Sequence, residues 1–166
     1  MIAPANGIDS DRLLQWISVN HLYSEYGRLL DEKRLGEWVD LFTEDCLYQA
    51  IPRENVEADL PLALIRCEGR RGLLDRVNAI ENLLVYKPRV MRHIFSGLRI
   101  ISTREDVVST ETSFAVFETL EGQHTALFAT GCLHGELAWR SGFPQFIQLR
   151  AIYDSSLVVN SMVYPL

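Results

Sequence analysis

The spacing of apolar residues changes once along this chain, and that change limits what the chain can fold into. Before Arg89 the apolar side chains recur every three or four residues, which is typical of amphipathic helices. After Arg89 they alternate with polar side chains over long stretches, which is typical of strands with one buried face. Helices followed by a run of strands predict an α+β domain in which helices cover one face of a curved, mainly antiparallel sheet.

The first half of the sequence predicts three helices separated by short strands. Asp9 or Ser10 can cap the first helix, and Lys87-Pro88 stops the third. The buried stripe of the first helix is predicted to consist of Trp16, Val19, Tyr23, Tyr26 and Leu30. The helices are predicted at residues 10–31, 35–42 (closed by residues 43–45) and 70–84. Short strands are predicted at 47–51 and 62–65, and the polar segment 53–61 is expected to be a loop or a poorly paired edge.

The second half predicts four long strands, at residues 90–102, 107–120, 124–139 and 144–158. The first of these is predicted to carry Ile94, Ser96, Leu98 and Ile100 on one face. Tight turns at 121–123, where Gly122 tolerates a positive φ, and at 140–143 join consecutive strands into an antiparallel meander. No repeat or linker interrupts the pattern, so residues 1–166 are predicted to form a single domain.

Composition and charge exclude several classes of protein. With 166 residues and 48% hydrophobic side chains, the chain can bury a core without disulfides. A net charge of −6 without a basic run argues against nucleic-acid binding, and no apolar stretch approaches the roughly 20 residues that span a membrane. Residues 1–7 lack the features of a secretory signal. Three cysteines without a close pair (Cys46, Cys67 and Cys132) predict reduced thiols in a cytoplasmic protein.

Two overlapping motifs at residues 132–136 match halves of iron sites. Cys132-Leu133-His134 matches the first half of a Rieske motif, but no later cysteine completes the set of two thiolates and two imidazoles. His134-Gly135-Glu136 matches two ligands of a 2-His-1-carboxylate iron centre, and His134 is the last histidine of the chain. A nucleophile elbow and a glycine-rich phosphate loop are also missing. The sequence therefore predicts no catalytic, metal-binding or cofactor-binding residues.

Acid–base chemistry inside the curved sheet stays open as an alternative. A helix-covered, strongly curved sheet can enclose an apolar cavity, in which a carboxylate or an imidazole acquires a shifted pKa. The residues expected near such a cavity are Asp31, Tyr48, His93 and Asp154. The favoured interpretation is structural, with His93 as a hydrogen-bonded core or interface histidine and Asp31 as a helix cap.

Segments spread over nearly the whole chain carry a family likeness. They are Tyr48 and residues 23–34, 37–46, 53–55, 75–77, 91–100 (with Arg92-His93), 151–156 and 164–166. Together they resemble the small, or beta, subunits of bacterial aromatic-ring-hydroxylating dioxygenases. The resemblance implies a cone-shaped fold of the nuclear-transport-factor-2-like, or cystatin-like, superfamily.

The resemblance also implies partners and cofactors. In that family, small subunits form a trimer under a trimer of large, or alpha, subunits in an α3β3 hexamer. The large subunit carries the Rieske [2Fe–2S] cluster and the mononuclear Fe(II), and its electrons come from ferredoxin and reductase proteins. The likeness is greatest to small subunits of enzymes that hydroxylate aromatic acids of the salicylate, benzoate or terephthalate type.

Three hypotheses follow. The first is a non-catalytic assembly subunit of such an oxygenase, with candidate subunit contacts at Arg92, His93, Arg99, Tyr164 and Leu166. The alternative is a stand-alone dehydratase, isomerase or cyclase of the same fold that uses His93 with Asp31 or Tyr48 as its acid–base pair. The third is a small-molecule-binding module of that fold.

Overall fold

The computed structural model of the chain describes residues 9–140, 142–155, 157 and 162–166. Its elements, in chain order, are α1 (Ser10–Asp31), α2 (Leu35–Val39), β1 (Phe42–Pro52), α3 (Arg53–Glu57), β2 (Ile65–Glu68), α4 (Gly69–Asn78), β3 (Arg89–Arg104), β4 (Val107–Leu120), β5 (Ala126–Arg140) and β6 (Phe143–Tyr153). A π-helical turn, Ala79–Leu83, extends α4. No helix within these ranges is long and apolar enough to cross a membrane.

Six strands form one sheet in the order β2-β1-β6-β5-β4-β3. Strands β3 to β6 follow one another as the predicted antiparallel meander, and Gly122 in the β4–β5 turn has a φ of +74°. Strand β1 pairs in parallel with β6 and antiparallel with β2. The predicted α+β class, with helices on a curved and mainly antiparallel sheet, is confirmed.

Helix α1 begins as predicted. The side chain of Asp9 accepts a hydrogen bond from the backbone N–H of Asp11 at 3.1 Å, which caps the first turn. Four members of the predicted stripe are buried: Val19, Tyr23, Tyr26 and Leu30. Trp16 is exposed instead, and its indole N–H points at the main-chain oxygen of Leu98 at 3.5 Å. The helix therefore packs on the sheet mainly through its second half.

The core lies on the helix-covered face of the sheet. Its centre is a group of aromatic rings in edge contacts, formed by Tyr26, Trp38, Phe42, Tyr48 and Phe146. The segment 162–166, which we call the tail, belongs to the same core, and all five of its residues are buried. The tail therefore fills part of the interior of the curved sheet.

Several boundaries in the first half differ from the prediction. Helix α2 stops at Val39, and residues 43–45 belong to β1, because Phe42 pairs with Phe146 of β6. Apolar spacing cannot distinguish a helix that continues through Phe42 from a strand that begins there. The predicted loop 53–61 contains α3, the strand predicted at 62–65 lies at Ile65–Glu68, and the third helix becomes π-helical after Asn78.

The four residues predicted to share one face of β3 lie on two different faces. Arg89, Met91 and His93 are buried, whereas Ile94 and Ser96 are exposed. The pairing of β3 with β4 shifts between Ser96 and Arg99, where Gly97 has a φ of +70°. A bulge exchanges the faces of a strand, so Leu98 and Ile100 pack against the core whereas Ile94 and Ser96 do not.

Some predictions fall outside the described residues. Strand β6 ends at Tyr153, short of the predicted 158, and residue 158 is outside the described ranges. Also outside the described ranges are residue 141 in the predicted β5–β6 turn, residue 156 and residues 1–7.

Candidate functional site

Asp31 and His93 form a buried pair where the end of α1 lies against β3. The Asp31 carboxylate accepts a hydrogen bond from the backbone N–H of His93 at 3.0 Å, and its Oδ1 lies 2.7 Å from His93 Nδ1. The imidazole is fully buried and the carboxylate nearly so. A carboxylate beside Nδ1 favours the tautomer that carries its proton there, which leaves Nε2 as an acceptor. Nε2 is buried and has no hydrogen-bond partner among the described residues.

Gly27 allows this pair to form. A Cβ at position 27 would lie 2.7 Å from Cε2 of Phe95 and 3.3 Å from Cβ of His93. Only glycine therefore lets α1 approach β3 this closely. Arg92, which is exposed, lies 3.2 Å from the second oxygen of Asp31. The pair fastens the end of the helix to the strand, which agrees with the structural interpretation of His93.

Tyr48, the other acid–base candidate, is engaged by the tail. Its hydroxyl accepts a hydrogen bond from the backbone N–H of Leu166 at 2.9 Å, and the hydroxyl of Tyr26 donates to the main-chain oxygen of Leu166 at 2.5 Å. Burial raises the pKa of both phenols above its ordinary value. The two hydroxyls therefore hold the tail and are poorly suited to proton transfer near neutral pH.

Two further contacts fix the tail. One guanidinium nitrogen of Arg76 donates to the main-chain oxygens of Met162 at 2.9 Å and Val163 at 2.6 Å. The hydroxyls of Tyr86 and Tyr164 lie 2.7 Å apart. Hydrogen bonds from several elements thus hold the backbone of the tail inside the sheet.

Asp154 does not join the predicted cavity, and its placement there was wrong. Its carboxylate is exposed, accepts hydrogen bonds from Arg53 Nε at 2.9 Å and Nη2 at 2.5 Å, and accepts another from Thr130. The residue follows β6, where the chain leaves the sheet. Of the four expected residues, the structure brings only Asp31 and His93 into contact.

The five candidate contact residues differ in their exposure. The side chains of Arg92 and Arg99 are 67% and 64% exposed, and Arg99 donates to Glu111 at 2.5 Å. His93, Tyr164 and Leu166 are buried within their own chain. The role of all five residues as subunit contacts stays a prediction. Of the five, only Arg92 and Arg99 are exposed on the surface of the chain.

A cleft of about 580 Å³ lies between α1 and the β5–β6 hairpin. Its walls include Ile17, Leu22 and Leu41 and, from the hairpin, Phe143, whose side chain is largely exposed. His21 and Arg140 also line it. Sequence reasoning did not find this cleft, because the residues that form it come from three distant segments.

Cys132 and His134, which belong to the two half-motifs, lie beside a third residue on the open face of the sheet, that is, the face that the helices do not cover. Glu111 of β4 pairs directly with His134 of β5, and their Oε2 and Nε2 atoms lie 3.9 Å apart. Cys132 is close to both. No second histidine and no second cysteine join this group within the described ranges, so its donors do not match a Rieske cluster.

Comparison with known proteins identifies the family. A family model described as the ring hydroxylating beta subunit matches residues 26–152. The chain is 30% identical to the small subunit of anthranilate 1,2-dioxygenase from Burkholderia cepacia, over 91% of this chain and 94% of that subunit. The chain belongs to the ring-hydroxylating beta subunit family.

Two further proteins are similar to this beta subunit and support its assignment to the family. One is beta subunit 2 of the terminal oxygenase component of terephthalate 1,2-dioxygenase from Comamonas, which is 23% identical over 93% of this chain and 100% of that one. The other is a solved structure, described as the beta subunit of a candidate aromatic-ring-hydroxylating dioxygenase from Novosphingobium aromaticivorans. It has a TM-score of 0.84 and 30% identity, over 92% of this chain and 97% of that chain.

The resemblance and the nuclear-transport-factor-2-like fold expected from the sequence are therefore confirmed for this beta subunit. Membership in the family also implies a large oxygenase subunit as its partner. The stand-alone enzyme is not favoured.

Proposed function

We propose that this beta subunit is the non-catalytic small subunit of a Rieske-type aromatic-ring-hydroxylating oxygenase in the degradation of an aromatic carboxylic acid. Its large subunit carries the [2Fe–2S] cluster and the mononuclear Fe(II), and ferredoxin and reductase proteins supply electrons to that subunit. The chain forms a single domain over residues 1–166 and takes part in an α3β3 hexamer in the cytoplasm. Its own contribution is shape and contact surface.

The substrate class is supported by the relatives. The small subunit with 30% identity serves anthranilate 1,2-dioxygenase, and the 23% identical subunit serves terephthalate 1,2-dioxygenase. Both substrates are aromatic rings that carry a carboxylate. The shared substrate class of the two relatives supports an aromatic carboxylic acid for this complex as well.

The contacts made by the three acid–base candidates support the non-catalytic role. In an acid–base enzyme of this fold, substrate would have to reach His93, Asp31 or Tyr48. Tyr48 is hydrogen-bonded to Leu166, and Asp31 uses its oxygens on His93 and Arg92. The tail belongs to the same core cluster as Tyr48. These contacts support a structural role for the three residues and a catalytic role for the partner subunit.

Surface features support the assembly role. Arg92 and Arg99 are exposed arginines on one strand, and arginine is enriched at protein interfaces. Phe143 and the cleft beside it offer apolar surface at the β5–β6 hairpin, in the middle of the sheet order and away from the edge strand β3. We propose that these two regions contact neighbouring subunits.

Reconstitution with the large subunit tests the proposal. The large subunit of the same system is expressed with and without this chain, and assembly is measured by size exclusion with light scattering. We expect a hexamer of equal numbers of both subunits, and dihydroxylation of an aromatic acid only when reduced ferredoxin and large subunit are present. Failure of the two chains to form a complex would contradict the assembly role.

A variant separates the proposal from the enzymatic alternative. His93→Gln keeps a buried polar side chain but cannot act as a neutral-pH base. If the small subunit is non-catalytic, the assembled His93→Gln complex keeps its turnover per iron. Turnover of a substrate by the isolated wild-type chain, lost in His93→Gln, would favour the dehydratase, isomerase or cyclase instead.

A further inference from the structure

The open face of the sheet carries three potential metal ligands of three different kinds. Glu111 lies on β4, and Cys132 and His134 lie two residues apart on β5, so all three side chains point to the same face. Their carboxylate, thiol and imidazole donor atoms all lie within 4.8 Å of one another. The strands that hold them are paired along most of their length, which fixes the backbone of the site.

We propose that Glu111, Cys132 and His134 bind one divalent ion of the zinc class. Zinc takes sulfur, imidazole nitrogen and carboxylate oxygen at about 2.0–2.3 Å in a tetrahedron, which places neighbouring donors about 3.3–3.8 Å apart. The separation of 3.9 Å between Glu111 Oε2 and His134 Nε2 is close to that spacing. Small side-chain rotations bring the three donors onto one ion, and the mixed donor set favours zinc over magnesium or calcium.

The fourth position faces solvent. The side chain of His134 is 47% exposed and that of Glu111 is 32% exposed, while Cys132 is partly buried. Three protein ligands with an open position is the arrangement in which zinc also binds a water molecule. The ion would therefore be exchangeable and would link β4 to β5.

Three arginines interact electrostatically with the cluster. Arg99 donates to Oε1 of Glu111, which leaves Oε2 turned towards His134. Burial lowers the pKa of His134, the Glu111 carboxylate acts in the opposite direction, and Arg150 and Arg53 lower this pKa further. Burial and the Glu111 carboxylate raise the pKa of Cys132 to about 11. Binding of the ion to Cys132 therefore releases the thiol proton. The bound ion then becomes a positively charged partner of Glu111.

Cobalt titration of the reduced full-length chain tests the site. Co²⁺ bound to a thiolate gives a near-ultraviolet charge-transfer band, and tetrahedral Co²⁺ gives intense visible bands. We expect both bands to saturate at one equivalent and to disappear when Zn²⁺ is added. Cys132→Ser and His134→Ala are expected to weaken binding by more than roughly 100-fold and Glu111→Gln by at least roughly tenfold, and circular dichroism checks that each variant is folded.

Three controls make the result specific. His124→Ala changes an exposed histidine outside the cluster and leaves binding unchanged. Arg99→Gln removes the cation on Glu111 and tightens binding roughly fivefold. Affinity rises roughly tenfold per pH unit between about pH 7 and 8.5 in the wild type, because one thiol proton is released. A missing charge-transfer band, or wild-type affinity in Cys132→Ser or His134→Ala, overturns the proposal. Because binding is measured on the isolated chain, the outcome is independent of assembly and turnover.

Discussion

Asp31 contacts His93 twice, 62 residues further along the chain: at the backbone N–H at 3.0 Å and at Nδ1 at 2.7 Å. The two contacts join the last turn of α1 to the strand it covers. Because both side chains are buried, removing one leaves the polar groups of the other without solvent. The same residue pair that would serve an acid–base enzyme thus stabilises the packing of this beta subunit.

Replacement of Asp31 by alanine should destabilise the chain strongly. The change leaves the N–H and Nδ1 of His93 buried without their partner, and each such group costs about 1–3 kcal/mol. We expect the free energy of unfolding, measured in urea, to fall by about 2–4 kcal/mol. Asp75→Ala, at an exposed position of α4, is the control and should change it by less than about 0.5 kcal/mol. Equal changes in the free energy of unfolding for the two variants would contradict a structural role of Asp31.

A pair of glycine variants tests the close approach of α1 to β3. Gly27→Ala places a Cβ 2.7 Å from the ring of Phe95, and we expect it to cost about 1–3 kcal/mol although alanine favours helices. Gly36→Ala in α2 meets nothing within 4 Å and should be neutral or stabilise by up to about 1 kcal/mol. The melting temperature should therefore fall in Gly27→Ala and stay the same or rise in Gly36→Ala. Stabilisation by Gly27→Ala would mean that the helix does not lie this close to the strand.

Removal of the Tyr48 hydroxyl should loosen the tail. In Tyr48→Phe the buried backbone N–H of Leu166 loses its acceptor, which costs about 1–3 kcal/mol. We expect faster amide hydrogen exchange in residues 162–166, measured by mass spectrometry, while the strands exchange as before. Tyr86→Phe is the matched control, because its bond to Tyr164 is only partly buried and water can replace it. Unchanged exchange in the tail of Tyr48→Phe would show that other contacts hold it.

Alkaline pH should unfold the chain at lower urea concentrations. Burial raises the pKa of five tyrosines, namely Tyr23, Tyr26, Tyr48, Tyr153 and Tyr164. The folded chain keeps these protons, whereas the unfolded chain releases them from about pH 10, so the free energy of unfolding falls as pH rises further. Each group contributes a slope of up to about 1.4 kcal/mol per pH unit.

The buried thiols add to this effect from a lower pH. Burial raises the pKa of Cys46 to about 11, so its contribution begins to be lost near pH 9, the ordinary value of a thiol. Urea midpoints between about pH 8 and 11, combined with the tyrosinate absorbance, measure both effects. A midpoint that does not change over this range would contradict the burial of these groups.

Local sequence was sufficient for much of the fold. The helical spacing from Val19 to Leu30 and the cap at Asp9 placed α1, and the alternation after Arg89 placed the four strands of the meander. Two failures have a common cause. Phe42 satisfies a helix and a strand equally well until its pairing with Phe146 is known, and the face of Ile94 depends on a bulge at Gly97. Register is a property of two strands, so one strand alone cannot reveal it.

For the candidate sites, too, the sequence identified some of the residues but not their contacts. The sequence singled out Asp31, His93 and Tyr48 as possible acid–base groups near an enclosed cavity, but it could not say that Tyr48 binds Leu166. It also singled out Cys132 and His134, whose shared face follows from their spacing, and missed Glu111 on the neighbouring strand.

By itself the sequence predicted α1, the four strands of the meander and the family that the chain resembles, because each of these depends on local patterns of residues. Only the tertiary structure decided that the tail fills the interior of the sheet and that Glu111 joins Cys132 and His134. Those contacts join residues that lie up to 140 positions apart. Their formation depends on the summed packing and pairing of the whole domain, which no local pattern contains.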